Sequence, residues 1–163
     1  MLLRGTMTIN DKGHLVIGGC DAVDLAREFG TPLCVIDEAE VRRTCREYRR
    51  EFCEQYGHAE VIYAAKAFMT MAMCRLVEEE GLGLDVVSGG ELITALRAGF
   101  PMERVFFHGN NKSPDELILA LEAGVGRIVV DNFYELGMVG RLARERGRKT
   151  EILLRIAPGI EAH

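Results

Sequence analysis

From Ala59 onward the chain repeats one pattern: a short apolar run, a turn, then a stretch in which apolar residues return at helical spacing. The runs are Val61-Ile62-Tyr63-Ala64, Leu84-Asp85-Val86-Val87, Val105-Phe106-Phe107, Ile128-Val129-Val130 and Ile152-Leu153-Leu154. Their starts fall roughly 21 to 24 residues apart, the length of a strand, a helix and two short loops. The residues themselves do not repeat, so the period is topological and not that of a solenoid. Runs with little polar alternation suit parallel strands covered by helices.

Helix boundaries are written in the turns. Ser88-Gly89-Gly90-Glu91 and Ser113-Pro114-Asp115-Glu116 both match the capping box, in which the serine oxygen accepts from an early helix N–H and the glutamate reaches back. Pro114 takes the first helical position, where its missing N–H is not needed. Asn132 with Glu135 is a third, weaker cap. Gly81, Gly99, Gly124 and Gly147 end the helices. Such β/α alternation builds either an open doubly wound sheet or a (β/α)8 barrel, and pattern alone does not choose between them. Five strand-like runs fall short of the eight that a barrel needs, and they leave two parallel edges uncovered. The sheet is expected either to be open and complete or to be the first part of a longer barrel.

The residues before position 58 read differently. Leu15-Val16-Ile17 predicts a short strand, Ala22 to Phe29 a short helix ended by Gly30, and Pro32-Leu33-Cys34-Val35-Ile36 another strand. Asp37 then caps a long helix whose inner face is Val41, Cys45, Tyr48 and Phe52. This segment is expected to belong to a different layer from the repeat that follows.

Composition narrows the function classes. Apolar residues make up 48% of the 163 residues and charged residues 28%, as in a folded globular protein. A net charge of −5 argues against a nucleic-acid binder. The local cluster Arg42, Arg43, Arg46, Arg49 and Arg50 is interleaved with Glu40, Glu47 and Glu51, the mark of a solvated helix face. Five cysteines, Cys20, Cys34, Cys45, Cys53 and Cys74, lack a close pair or a zinc-like spacing and read as reduced thiols of a cytoplasmic protein. No apolar run approaches the roughly 20 residues of a membrane span, and the first four residues are too few for a signal sequence.

Four places carry candidate chemistry. Lys66 follows the first apolar run at its carboxyl end, where α/β folds place active sites. Apolar walls there would favour the neutral amine that condenses with an aldehyde; alternatively its stem lies along the strand and its head reaches water. Asp85 takes the corresponding position in the second unit, either orienting Lys66 or bonding to local backbone. His108-Gly109-Asn110-Asn111-Lys112 ends the third unit, as polar contacts around an anion or as a loop leading to a cap. Arg155 lies in an apolar run and needs an acceptor, either a cofactor oxygen or a neighbouring carboxylate. The glycines at 81, 83, 89 and 90 lack the spacing of a nucleotide fingerprint.

Taken in order, these segments resemble one family. Tyr63-Ala64-Ala65-Lys66-Ala67 is similar to the lysine motif of the fold-type-III pyridoxal-phosphate decarboxylases. Gly83-Leu84-Asp85-Val86-Val87-Ser88-Gly89-Gly90-Glu91-Leu92 is similar to their second-strand motif. Phe107-His108-Gly109-Asn110-Asn111-Lys112-Ser113 and Leu154-Arg155-Ile156-Ala157-Pro158-Gly159-Ile160-Glu161-Ala162-His163 resemble, more narrowly, the diaminopimelate decarboxylases. The match runs from about Thr31 to the last residue.

The resemblance implies an incomplete (β/α)8 TIM barrel of the alanine-racemase-like type, with about five β/α units. It assigns residues 1–36 to an N-terminal segment of a β-domain and residues 37–163 to the first part of the pyridoxal-phosphate-binding barrel. It implies that Lys66 binds pyridoxal 5'-phosphate, that Asp85 is the acid close to that lysine, and that Arg155 lies near a ring oxygen. The implied reaction is decarboxylation of meso-2,6-diaminopimelate to L-lysine and CO2 by a cytoplasmic homodimer, without metal, membrane or nucleic acid. Ornithine, arginine or carboxynorspermidine decarboxylation, or non-catalytic binding of the cofactor, are the alternatives. The family's glycine-rich phosphate loop, ring-stacking histidine and substrate-binding arginines would lie beyond His163, so the 163-residue chain is expected to be inactive alone.

Overall fold

Five parallel strands, in a computed structural model that describes residues 3–159, take up the five apolar runs. The final residues of the last motif, Ile160 to His163, lie outside the described residues. Two compact units, Met1–Gln55 and Tyr56–His163, divide the chain.

In the second unit, β4 (Ile62–Ala64), β5 (Gly83–Val86), β6 (Val105–Phe107), β7 (Arg127–Val130) and β8 (Glu151–Leu154) pair in sequential order, all parallel. Between them run α3 (Met71–Glu79), α4 (Gly89–Ala98), α5 (Pro114–Ala123) and α6 (Phe133–Glu145). This is the β/α alternation of a partial barrel. Leu84, Val86, Val105, Phe107, Ile128 and Val130 are at most 2% exposed and form the covered face. Leu92, Leu117, Val77 and Leu142 from the helices complete that core. Burying each such side chain is worth about 1.5–3 kcal/mol, so the strand-to-helix interface holds the unit together. On the opposite face the pairings Ala64–Asp85, Asp85–Phe106, Phe106–Arg127 and Arg127–Glu151 align one row across all five strands. Arg127 there lies over the Phe106 ring, 5.2 Å from its centre, and 3.2 Å from Glu151.

The helix caps follow the sequence, with one refinement. Ser113 and Glu116 form the full reciprocal box. Ser88 and Asn132 accept from the N–H of Glu91 and Glu135, at 3.3 and 2.9 Å. Those two glutamates reach one residue further out, to the N–H of Val87 at 2.6 Å and of Asp131 at 2.8 Å. They therefore stitch the end of each strand to the helix that follows it.

The first unit carries an antiparallel sheet of β1 (Thr8–Ile9), β2 (Leu15–Ile17) and β3 (Cys20–Asp21), followed by α1 (Ala22–Phe29). Asp21 caps α1 and also accepts from Asn10 at 2.8 Å, with His14 Nδ1 at 2.9 Å. The His14 contact, reinforced by Asn10 and the cap N–H groups against an opposing effect of burial, holds the Asp21 carboxyl well below the usual range. Asp37 caps α2 (Glu38–Tyr48) as expected.

Two expectations fail here. Residues 32–36 form no strand among the described residues, and Leu33, Val35 and Ile36 are exposed. Of the expected inner face, Cys45 is buried, but Tyr48 and Phe52 are about half-exposed and stack on each other at 6.1 Å. Phe52 lies in a π-helical segment, Arg49–Glu54, whose wider turn departs from α-helical spacing, whereas Tyr48 is the last residue of α2. The arginine cluster is solvated and paired with acids, including Arg43 with Glu40 and Glu47 and Arg50 with Glu51. All five cysteines are free thiols. Among the described residues no helix is long and apolar enough to cross a membrane.

Candidate active site

The carboxyl ends of β4 to β8 carry the candidate residues. After β4 the chain makes a 3-10 turn, Ala65–Ala67, that tucks Ala65 inward at 1% exposure and turns Lys66 outward. The Tyr63 hydroxyl donates to the Phe68 carbonyl at 2.9 Å and closes this turn from the other side. Lys66 is exposed. The apolar walls expected around it are therefore not there: the turn gives the buried position to Ala65 in place of the lysine.

Asp85 pairs with Ala64 across the sheet and is half-buried on the face opposite Leu84 and Val86. Burial pushes its carboxyl above the ordinary value, and the nearby charges of His108 and Lys66 oppose that shift. His108 Nδ1 lies 3.7 Å from Asp85 Oδ2. The His108 N–H donates to the Val86 carbonyl at 2.8 Å, which extends the β5–β6 pairing and fixes where the imidazole starts. Lys66, Asp85 and His108 thus form one electrostatic group on three adjacent strand ends.

Arg155 stands apart from them. Its N–H donates to the Val130 carbonyl at 2.9 Å, and Nη1 donates to Asp131 Oδ1 at 2.9 Å. The acceptor in this structure is thus a neighbouring carboxylate. The strand order puts β8 and β4 at opposite edges of the sheet, so Arg155 and Lys66 are separated by three strands. A cavity of about 280 Å³ adjoins Arg155, lined also by Val130, Phe133, Leu136, Leu154 and Ile156.

Sequence reasoning missed Lys112. It reads as one of three polar loop residues, yet its side chain is 1% exposed. Nζ lies 2.7 Å from Glu135 Oε1, donates to the Val129 carbonyl at 2.8 Å, and donates to the Gly109 carbonyl. No periodic signal could have paired residues 112 and 135, because one lies in a loop and the other in the first turn of a helix.

Residues 38–163 match the family described as pyridoxal-dependent decarboxylase, pyridoxal binding domain. The chain belongs to this family. Relatives within it include diaminopimelate decarboxylases from Bacillus methanolicus and Bacillus subtilis, 56% and 55% identical over the whole of this chain. A solved structure of diaminopimelate decarboxylase from M. jannaschii in complex with L-lysine superposes on 96% of the chain with a TM-score of 0.85 at 36% identity. The chain spans 38% and 37% of the length of the two Bacillus proteins and 37% of the M. jannaschii chain. The five-stranded sheet is accordingly part of that family's barrel, and the cofactor of the family is pyridoxal phosphate. The donor set at the strand ends suits such a cofactor: an exposed primary amine for an aldehyde, a carboxylate beside it, and an arginine with donors to spare.

Proposed function

We propose that this chain forms the lysine-bearing part of a decarboxylase that converts meso-2,6-diaminopimelate to L-lysine and CO2. The observation that carries the proposal is the amine of Lys66 at the carboxyl end of a parallel strand, within the field of the Asp85 carboxylate. Relatives more than half identical over the full chain, all named for this activity, support the choice of substrate. When bound, the cofactor supplies a conjugated ring that accepts the electron pair left by departing CO2.

The residues of this chain then have separate tasks. Lys66 Nζ would hold the cofactor through its aldehyde carbon. Asp85 would orient the Lys66 amine, to which it is electrostatically coupled. Arg155 spends one Nη1 bond on Asp131, and its remaining N–H donors would be available to a cofactor oxygen. Residues 1–36 are assigned to a β-domain and residues 37–163 to the barrel. The active enzyme is assigned as a cytoplasmic homodimer.

The test is a product assay on the full-length protein with pyridoxal phosphate, offering diaminopimelate, ornithine, arginine and carboxynorspermidine separately. Lysine formed from diaminopimelate, with turnover lost in Lys66→Ala, is the expected result. Preferential turnover of another substrate, or unchanged activity in Lys66→Ala, would overturn the proposal.

A further inference from the structure

The buried cation at position 112 has no role in the chemistry above, yet it bonds the loop that directly follows His108. Its ammonium group faces three oxygens from three places: Gly109 in the loop after β6, Val129 in β7, and Glu135 in the first turn of α6. The second oxygen of Glu135 accepts from the Asp131 N–H, and Asp131 is the partner of Arg155. The Phe107 ring, fully buried, lies 5.7 Å from the same ammonium. One side chain therefore ties the His108 loop to the strand end and helix that carry the Arg155 partner.

We infer that Lys112 is a positioning residue, which anchors the loop presenting His108 to Asp85 beside Lys66; this rests on Lys66 being the cofactor-holding amine. Energetics favour a geometric role. A buried ion pair recovers little beyond its desolvation cost, and an apolar pair of similar volume often serves stability as well. What an apolar pair does not do is hold a backbone carbonyl. The Gly109 carbonyl follows His108 directly, and Gly109 has φ +110° with room for a Cβ only 3.1 Å from the Val87 carbonyl oxygen. The loop is thus pressed against the end of β5, where Asp85 lies, and the Lys112 ammonium keeps it there.

The test compares wild type with Lys112→Met/Glu135→Leu, which removes both buried charges together, and with His108→Ala, whose side chain is over a third exposed. Three quantities are read in the full-length protein: the melting temperature, the Asp85 carboxyl titration by carbon NMR, and the rate of pyridoxal-phosphate capture at Lys66 by borohydride trapping. The double variant is expected to melt below wild type, because the Gly109 and Val129 carbonyls and the Asp131 N–H lose their side-chain partners. Its Asp85 midpoint should rise further, since the opposing His108 charge is lost, and capture should slow about tenfold, a modest cost for a misplaced reacting group. His108→Ala should give the same two changes. A double variant that folds and keeps both the wild-type midpoint and the wild-type capture rate overturns the inference. So does a His108→Ala variant that keeps both, whether or not the double variant folds. Absence of capture in wild type would sink the cofactor role of Lys66 instead, while the Asp85 midpoint would still report on the anchor.

Discussion

At the scale of single residues, Asp85 concentrates the conflict between stability and function. Burial raises its carboxyl above the unfolded value of 3.8, although His108 and Lys66 pull the other way. A carboxyl with a raised folded value binds its proton more tightly in the folded state, so stability falls as pH rises from the unfolded value through the folded one. Asp85→Asn should therefore be more stable than wild type at neutral pH, and the gain should vanish below about pH 3.8. Chemical denaturation in both regimes checks this. An equal gain at both pH values would mean that the ionised carboxylate is not what costs stability. The same variant should lose cofactor capture if the proposed role of Asp85 beside Lys66 holds.

At the scale of elements, the caps and close approaches make separable predictions. Glu116 serves two helices, accepting from the Ser113 N–H at 2.8 Å and from the Gly89 N–H at 2.7 Å. Ser113→Ala should cost about 1 kcal/mol, and Glu116→Ala should cost more, because it also frees the Gly89 donor at the start of α4; urea titration of both ranks them. Gly126 meets the backbone itself: a Cβ there would lie 2.0 Å from the Glu103 carbonyl oxygen. Gly126→Ala should thus cost about 1–3 kcal/mol or more, and a midpoint equal to wild type would contradict that packing.

These elements also explain what was legible in advance. The five strands were readable because their buried rows are continuous apolar runs, and the helix starts because each cap places an acceptor three residues before its donor. Residues 32–36 carry the same apolar signal yet pair with no strand among the described residues. Phe52 fell out of the expected stripe at a π-helical turn, which spacing alone does not announce. At the candidate site, the strand-end positions of Lys66 and Asp85 were legible in the sequence. The inward turn of Ala65 and the pairing of Lys112 with Glu135 depend on tertiary contacts that no local pattern records.

At the scale of the whole molecule, the sheet ends on an uncovered strand. All four residues of β8 are exposed, and Leu153, Leu154 and Ile156 are 43%, 59% and 79% accessible. An unpaired apolar edge is a template for association. The 163-residue chain by itself should show concentration-dependent growth in light scattering, reduced by Leu153→Lys; a strictly monomeric chain would contradict this. The chain spans 38% and 37% of the length of the two Bacillus relatives. The most direct test of the account is chemical. Full-length protein is incubated with pyridoxal phosphate, reduced with borohydride and mapped by peptide mass. The account predicts one reduced cofactor per chain, on Lys66, and none in Lys66→Ala; a label on any other lysine, or none at all, contradicts it.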